Sequence, residues 1–325
     1  MGVDTKIEWC HHTFNPWWGC QRISPACGGA RGEGGCYAEA FSKRIGGSPW
    51  AKGLHWGPGS LRTIASEKQW AQPLAWNSAA EKAGERRRVF CASMADVGED
   101  RRDLDAPRAR LRALIEATPH LDWLLLTKRP ETIVDLMGWP GAWPRNVWAG
   151  TTVEDQRRAD ERIPHLLRVP AAVRFLSCEP LLGPVDLTRW MEREWCRGGW
   201  PGAVHRYTGS GRTVNCPICG GRGFTSRTLD WVIVGGESGH DARPFDLAWA
   251  RSLVGQCRAA GVPAFVKQLG AAASDPVNGL AGARLRVPAD AAALVSLRLK
   301  SPKGGDPAEW PADLRVREFP EARHG

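Results

Sequence analysis

Six short apolar runs, each closing on a polar residue or a glycine, constrain this chain more than any other feature. They are Arg88 to Ser93 (RVFCAS), Asp122 to Thr127 (DWLLLT), Asn146 to Thr151 (NVWAGT), Val173 to Cys178 (VRFLSC), Asp230 to Gly235 (DWVIVG) and Val262 to Lys267 (VPAFVK). A strand that is apolar on nearly every residue must be covered on both faces, as in a parallel sheet flanked by helices. The segments between the runs read accordingly. Leu111, Leu114 and Ile115 share one helical face, and the arginines around them, from Arg101 and Arg102 to Arg108, Arg110 and Arg112, read as a solvated face. In FDLAWARSLVGQCRAAG, Asp246 can cap the start, Leu247, Ala250, Leu253, Val254 and Cys257 make the stripe, and Gly261 ends it. A first strand between Lys6 and Phe14 brings the count to about seven. The fold class is therefore α/β, a complete or partial (β/α) barrel, and the lack of a Gly-rich dinucleotide fingerprint after the first strand argues against a doubly wound sheet.

In such barrels the chemistry sits past the C-terminal ends of the strands. The residues there are Ser93 and Asp96, Lys128 and Arg129, Thr151, Thr152 and Glu154, Glu179, Glu237 and Ser238, then Lys267 and Gln268. Asp96, Glu154, Glu179, Glu237 and Ser238 are candidates to hold a ligand's polar groups. Gly235 and Gly236 would let backbone approach it closely. Lys128, Arg129 and Lys267 read as contacts for an anionic substrate.

Cys20, Cys27 and Cys36 lie in GCQRISPACGGARGEGGCYAEA, directly behind the aromatic, turn-rich entry TFNPWWGC. Three thiolates in a Gly-rich loop can grip three irons of a four-iron cluster and leave the fourth open. The same loop also suits structural zinc, with Cys10, His11 or His12 as fourth ligand, or plain reduced thiols. A second set, Cys196, His205, Cys216 and Cys219, has zinc-knuckle spacing and would staple a small insertion with little core of its own; a second cluster or free thiols are the alternatives. Cys91, Cys178 and Cys257 sit in apolar patterns and read as small hydrophobes.

Lys and Arg number 44 against 35 Asp and Glu, a formal charge of +9, which favours encounter with nucleic acids, nucleotides or acidic partners. The 17 Trp are mostly expected to pack, with a few free to stack on bases. The opening MGVDTKIEW carries no apolar signal segment, and no apolar run reaches the ~20 residues of a membrane helix, so a cytoplasmic protein is expected.

The motifs KIEW, TFNPWWGC, SPAC, CYAEA, FCASMADV, LLLTKRP, FLSCEPLLGP, WVIVGGESG, VPAFVKQLG and KGGDPAEWPADLRVREFP together resemble the bacteriophage-associated three-cysteine-motif proteins, described as radical-SAM-like. The resemblance spans nearly the whole chain outside residues 190–228 and extends distantly to the spore photoproduct lyases, whose last cluster cysteine also begins a Cys-Tyr pair. It implies a (β/α) barrel of the radical SAM type: a first part over 1–189 with the cluster loop at 19–37, the cysteine-containing insertion at 190–228, a last part over 229–270 and a C-terminal extension over 271–325. It also implies a 4Fe-4S cluster on Cys20, Cys27 and Cys36, S-adenosylmethionine on the open iron, an external electron donor and, if a phage encodes the chain, the host cytoplasm. The expected activity is reductive cleavage of S-adenosylmethionine to modify a nucleic-acid or nucleotide substrate, such as a phage DNA base. The cysteine spacing is wider than radical enzymes commonly use, and the usual Gly-Gly-Glu position after the second strand reads Ser-Met-Ala-Asp, ending at Asp96. Two competing expectations are a zinc-stabilised nucleic-acid-binding protein on a non-catalytic barrel, and a magnesium-dependent nuclease using Asp96, Glu154, Glu179 and Glu237.

Overall fold

The computed structural model describes residues 5–28, 36–44, 56–140, 143–191, 228–275 and 295–321. Seven parallel strands form one sheet in chain order: β1 (His12–Thr13), β2 (Arg87–Cys91), β3 (Leu121–Thr127), β4 (Val147–Thr152), β5 (Val173–Cys178), β6 (Trp231–Gly235) and β7 (Ala264–Gln268). Neighbours in sequence are neighbours in space, and the sheet curls into a half-barrel that is open between β1 and β7. The six apolar runs are six of these strands.

Strand alternation divides the core in two. Val89, Cys91, Trp123, Leu125, Val147, Ala149, Leu176, Val232 and Val234 face outward and join the helices, through residues such as Leu111, Ile115, Ile163 and Leu253. Phe90, Leu124, Trp148, Phe175, Trp231 and Phe265 face the other way and fill the barrel interior with Trp9 and Cys10. The rings meet at an angle: Trp231 lies edge-on to Trp9, Trp148 and Phe265 with centroids 6.1–6.3 Å apart. Trp17, Trp123, Trp148, Trp231 and Trp310 are fully buried, so these five indoles serve packing.

The helix Leu247–Ala260 follows its expected grammar. The Asp246 carboxylate accepts the Ala248 N–H at 2.8 Å, the five stripe residues are buried, and Gly261 closes the helix at φ 64°. The helix Asp105–Glu116 departs from expectation at one residue. Arg108 is buried, not solvated, because its guanidinium satisfies the carbonyls of Val97 and Glu99 and the Asp105 carboxylate. The first strand is also shorter than expected. Residues 5–10 turn back on themselves, Cys10 N–H bonding Ile7 O, and this turn drops Trp9 into the interior.

The C-terminal segment lies along the free edge of β7. Val266 donates to Val316 O and Glu318 donates to Ala264 O, while Trp231 Nε1 donates to Glu318 O at 2.8 Å. Phe319 packs on Phe265 and Trp231, under the guanidinium of Arg88 from β2. A Lys303–Glu8 ion pair joins this segment to the N-terminal turn across the gap. Since Phe319 is half-buried, Phe319→Ala is expected to cost about 2 kcal/mol, read as a lower denaturant midpoint at unchanged m. No helix among the described residues is long and apolar enough to cross a membrane.

Candidate functional site

The entry TFNPWWGC is tied to the end of β2. Asn15 Oδ1 accepts the Met94 N–H at 2.8 Å, Asn15 Nδ2 reaches Ser93 Oγ, and Gly19, at φ 101°, donates to Met94 O. This delivers Cys20 to the C-terminal end of the sheet. The helix Tyr37–Arg44 brings Cys36 there, and a single turn, Pro25–Cys27, brings Cys27. The three thiols, all unbridged, line one cavity of about 130 Å³ with Ser93, Met94, Asp96, Thr127, Lys128, Arg129 and Thr152. Its floor is Phe90 and Leu126, on the inner face of the barrel. Ala38, Trp56 and Met94 make an apolar wall against Cys20 and Cys36.

The thiols differ in character. Burial pushes Cys20 up, with Asp96 and Cys36 adding to the effect, and burial likewise raises Cys36. Cys27 goes the other way. Burial opposes its ionisation, but the Lys128 ammonium and the backbone groups of Ile23 and Ser24 outweigh that and hold the thiol below its usual value. Among the described residues the Lys128 ammonium has no carboxylate partner.

Each carboxylate expected to hold a ligand pairs with a cation. Asp96 accepts Arg129 at 2.7 Å as well as the Thr127 hydroxyl and the Lys128 N–H. Glu154 pairs with Arg162 at 2.8 Å, Glu179 with Lys267 at 2.5 Å, and Glu237 with Arg243 through two bonds of 2.8 and 2.9 Å. Three of these pairs hold the cysteine loop. Arg129 donates to Gln21 O, Glu154 accepts the Ala26 N–H, and Arg243 donates to Pro25 O at 2.7 Å. Arg129 is thus engaged as a brace, and Lys267 as the partner of Glu179. Lys267 is raised because Glu179 outweighs the burial that would lower it.

Gly236 is needed for packing: a Cβ there would sit 2.4 Å from the Leu269 carbonyl oxygen. At Gly235 it would meet the Glu179 side chain at 3.4 Å. Ser238 is exposed on the loop beyond. Cys196, His205, Cys216 and Cys219 lie outside the described residues. Among those described, no group of three or more His, Cys, Asp or Glu side chains is arranged to hold a metal ion.

Sequence reasoning passed over a buried brace under the loop. Glu99 accepts the Gln21 N–H at 3.0 Å and clamps Arg62 through bonds of 2.9 and 2.7 Å. Arg22 pairs with Glu39, joining the loop to the helix that carries Cys36. The only available signal was local: Arg22 and Glu39 flank the cysteines, whereas Arg62 and Glu99 lie far apart in sequence.

A family model described as a protein of unknown function, DUF5131, matches residues 4–301. The chain belongs to the DUF5131 family. The matched stretch takes in every strand of the half-barrel and all three loop cysteines, so the cavity lies within the DUF5131 unit. No curated protein and no solved structure matches the chain.

Proposed function

We propose that this DUF5131 protein is a radical-SAM-like iron–sulfur enzyme acting on a nucleic-acid or nucleotide substrate with an external electron donor. The observation that carries the reading is the convergence of three unbridged thiols and an ammonium on one cavity at the C-terminal end of a parallel half-barrel. Soft thiolates suit an iron–sulfur group as well as zinc, and a cluster, with one thiolate per iron, takes donors spread around a cavity where zinc takes them closed on a single ion. In chemical type the three cysteines lining the cavity suit that group, and Cys20, Cys27 and Cys36 would be its ligands. At about 130 Å³ the cavity is smaller than the ~300–1,000 Å³ of most organic-ligand pockets, so S-adenosylmethionine has to lie beyond it.

When bound, the cluster supplies one-electron reduction of S-adenosylmethionine; the chain's own residues position it. Asp96 with Arg129, Glu154, and Glu237 with Arg243 hold the cysteine loop, and Trp56, Met94 and Ala38 keep water from one wall. The polyanion half of the proposal rests on the formal charge of +9.

The magnesium-dependent nuclease is less well supported, because Asp96, Glu154, Glu179 and Glu237 each face a cation and leave no shared carboxylate cage. The zinc-stabilised binder makes a different metal prediction. Anaerobically purified protein is expected to carry about four irons with matching sulfide, and to cleave S-adenosylmethionine under a strong reductant. Zinc alone, unchanged in the Cys20, Cys27, Cys36 triple Ala variant, would overturn the proposal.

A further inference from the structure

Lys128 lines the cavity beside the three thiols. It follows β3 directly, and its backbone N–H is fixed by Asp96 Oδ2 at 3.2 Å, so the start of the side chain is set by the same carboxylate that braces the loop. The neighbouring cation is spent: Arg129 holds Asp96 and the Gln21 carbonyl. Lys128 holds no carboxylate among the described residues, although it lines a cavity that also contains Asp96. Lys128 is half-buried, and a cation at the wall of such a cavity favours an anion held there. The other cavity groups able to become anionic are Cys20, Cys27 and Cys36, which line the same cavity as Lys128.

We infer that Lys128 is the counter-ion of the anionic group held by the three thiolates, and that its charge helps to retain that group and sets its reduction potential. The inference rests on the iron–sulfur reading above and adds a role for a residue that binds no metal. The physical argument is Coulombic. Reduction adds a negative charge to the cluster, a nearby fixed cation stabilises the reduced form more than the oxidised one, and the cavity screens the interaction less than bulk water would. Lys128 is a positioning and tuning residue, since it acts through the cluster and not on a reacting atom.

The test compares wild-type protein, Lys128→Met and Lys128→Arg after anaerobic reconstitution with iron and sulfide. Iron content and midpoint potential are followed by electron paramagnetic resonance, and folding by circular dichroism and thermal melting. Lys128→Met keeps the length of the side chain and removes its charge. It is expected to fold and to shift the reduction equilibrium at least tenfold toward the oxidised form, 59 mV lower for a one-electron couple, with Lys128→Arg restoring most of the difference. Loss of iron from folded Lys128→Met but not from Lys128→Arg equally supports the inference. A fully loaded Lys128→Met variant at the wild-type potential overturns it while leaving the iron–sulfur reading intact. Wild-type protein that takes up no iron overturns both.

Discussion

Cys27→Ala protein is expected to fold and to lose its iron, from about four per chain to a small residue. Cys27 sits on the single turn Pro25–Cys27, outside the sheet and the long helices, so removing its sulfur disturbs little of the core. Its thiol is the one of the three held below its usual value, so near neutral pH it is the readiest to bind metal as thiolate. Losing it leaves Cys20 and Cys36, both pushed up by burial and neither enough to anchor a cluster. The control is Cys257→Ala. Cys257 lies in the buried stripe of the last long helix, its thiol pushed up to about 12 chiefly by burial, and it should keep full iron while losing some stability. Full iron in Cys27→Ala, or equal loss in both variants, would separate the loop from metal binding.

The fold was legible because its strands must be apolar on both faces. VRFLSC is a strand at its stated bounds, and the other five runs shift by one or two residues at their ends. The N-terminal strand read less well because IEWCHH looks extended while its Trp9 and Cys10 are pulled inward by a turn that no Gly or Pro announces. At the site, cysteine type and loop position were readable, and so was the register of rim polar residues. What sequence hides is pairing. Glu179 meets a lysine 88 residues away and Asp96 an arginine 33 residues away, so carboxylates that look free in the sequence are paired with cations in the fold, and some of those pairs brace the loop. Gly236 shows the same limit: its neighbour is the Leu269 backbone, which no local pattern reveals.

Breaking the buried Arg62–Glu99 pair by Glu99→Ala should be strongly destabilising. Their side chains are 1% and 5% exposed, so Glu99→Ala takes two carboxylate bonds away from a buried guanidinium, at a cost of about 3–5 kcal/mol. Arg62 keeps the carbonyls of Ser60 and Gly57, which moderate the loss but do not neutralise it. Glu99 has a second task, accepting the Gln21 N–H beside Cys20, and the two tasks separate in the double variant Arg62→Met, Glu99→Leu. An apolar pair of similar bulk should recover most of the stability, because burying two charges was costly at the outset. It supplies no acceptor for Gln21, so the loop stays loose and iron retention should remain impaired despite a near-normal denaturant midpoint. If the double variant regains both, Glu99 serves packing alone and the loop is held by Arg129, Glu154 and Arg243 without it. If it regains stability but not iron, the buried carboxylate is part of the apparatus that presents Cys20 to the cavity.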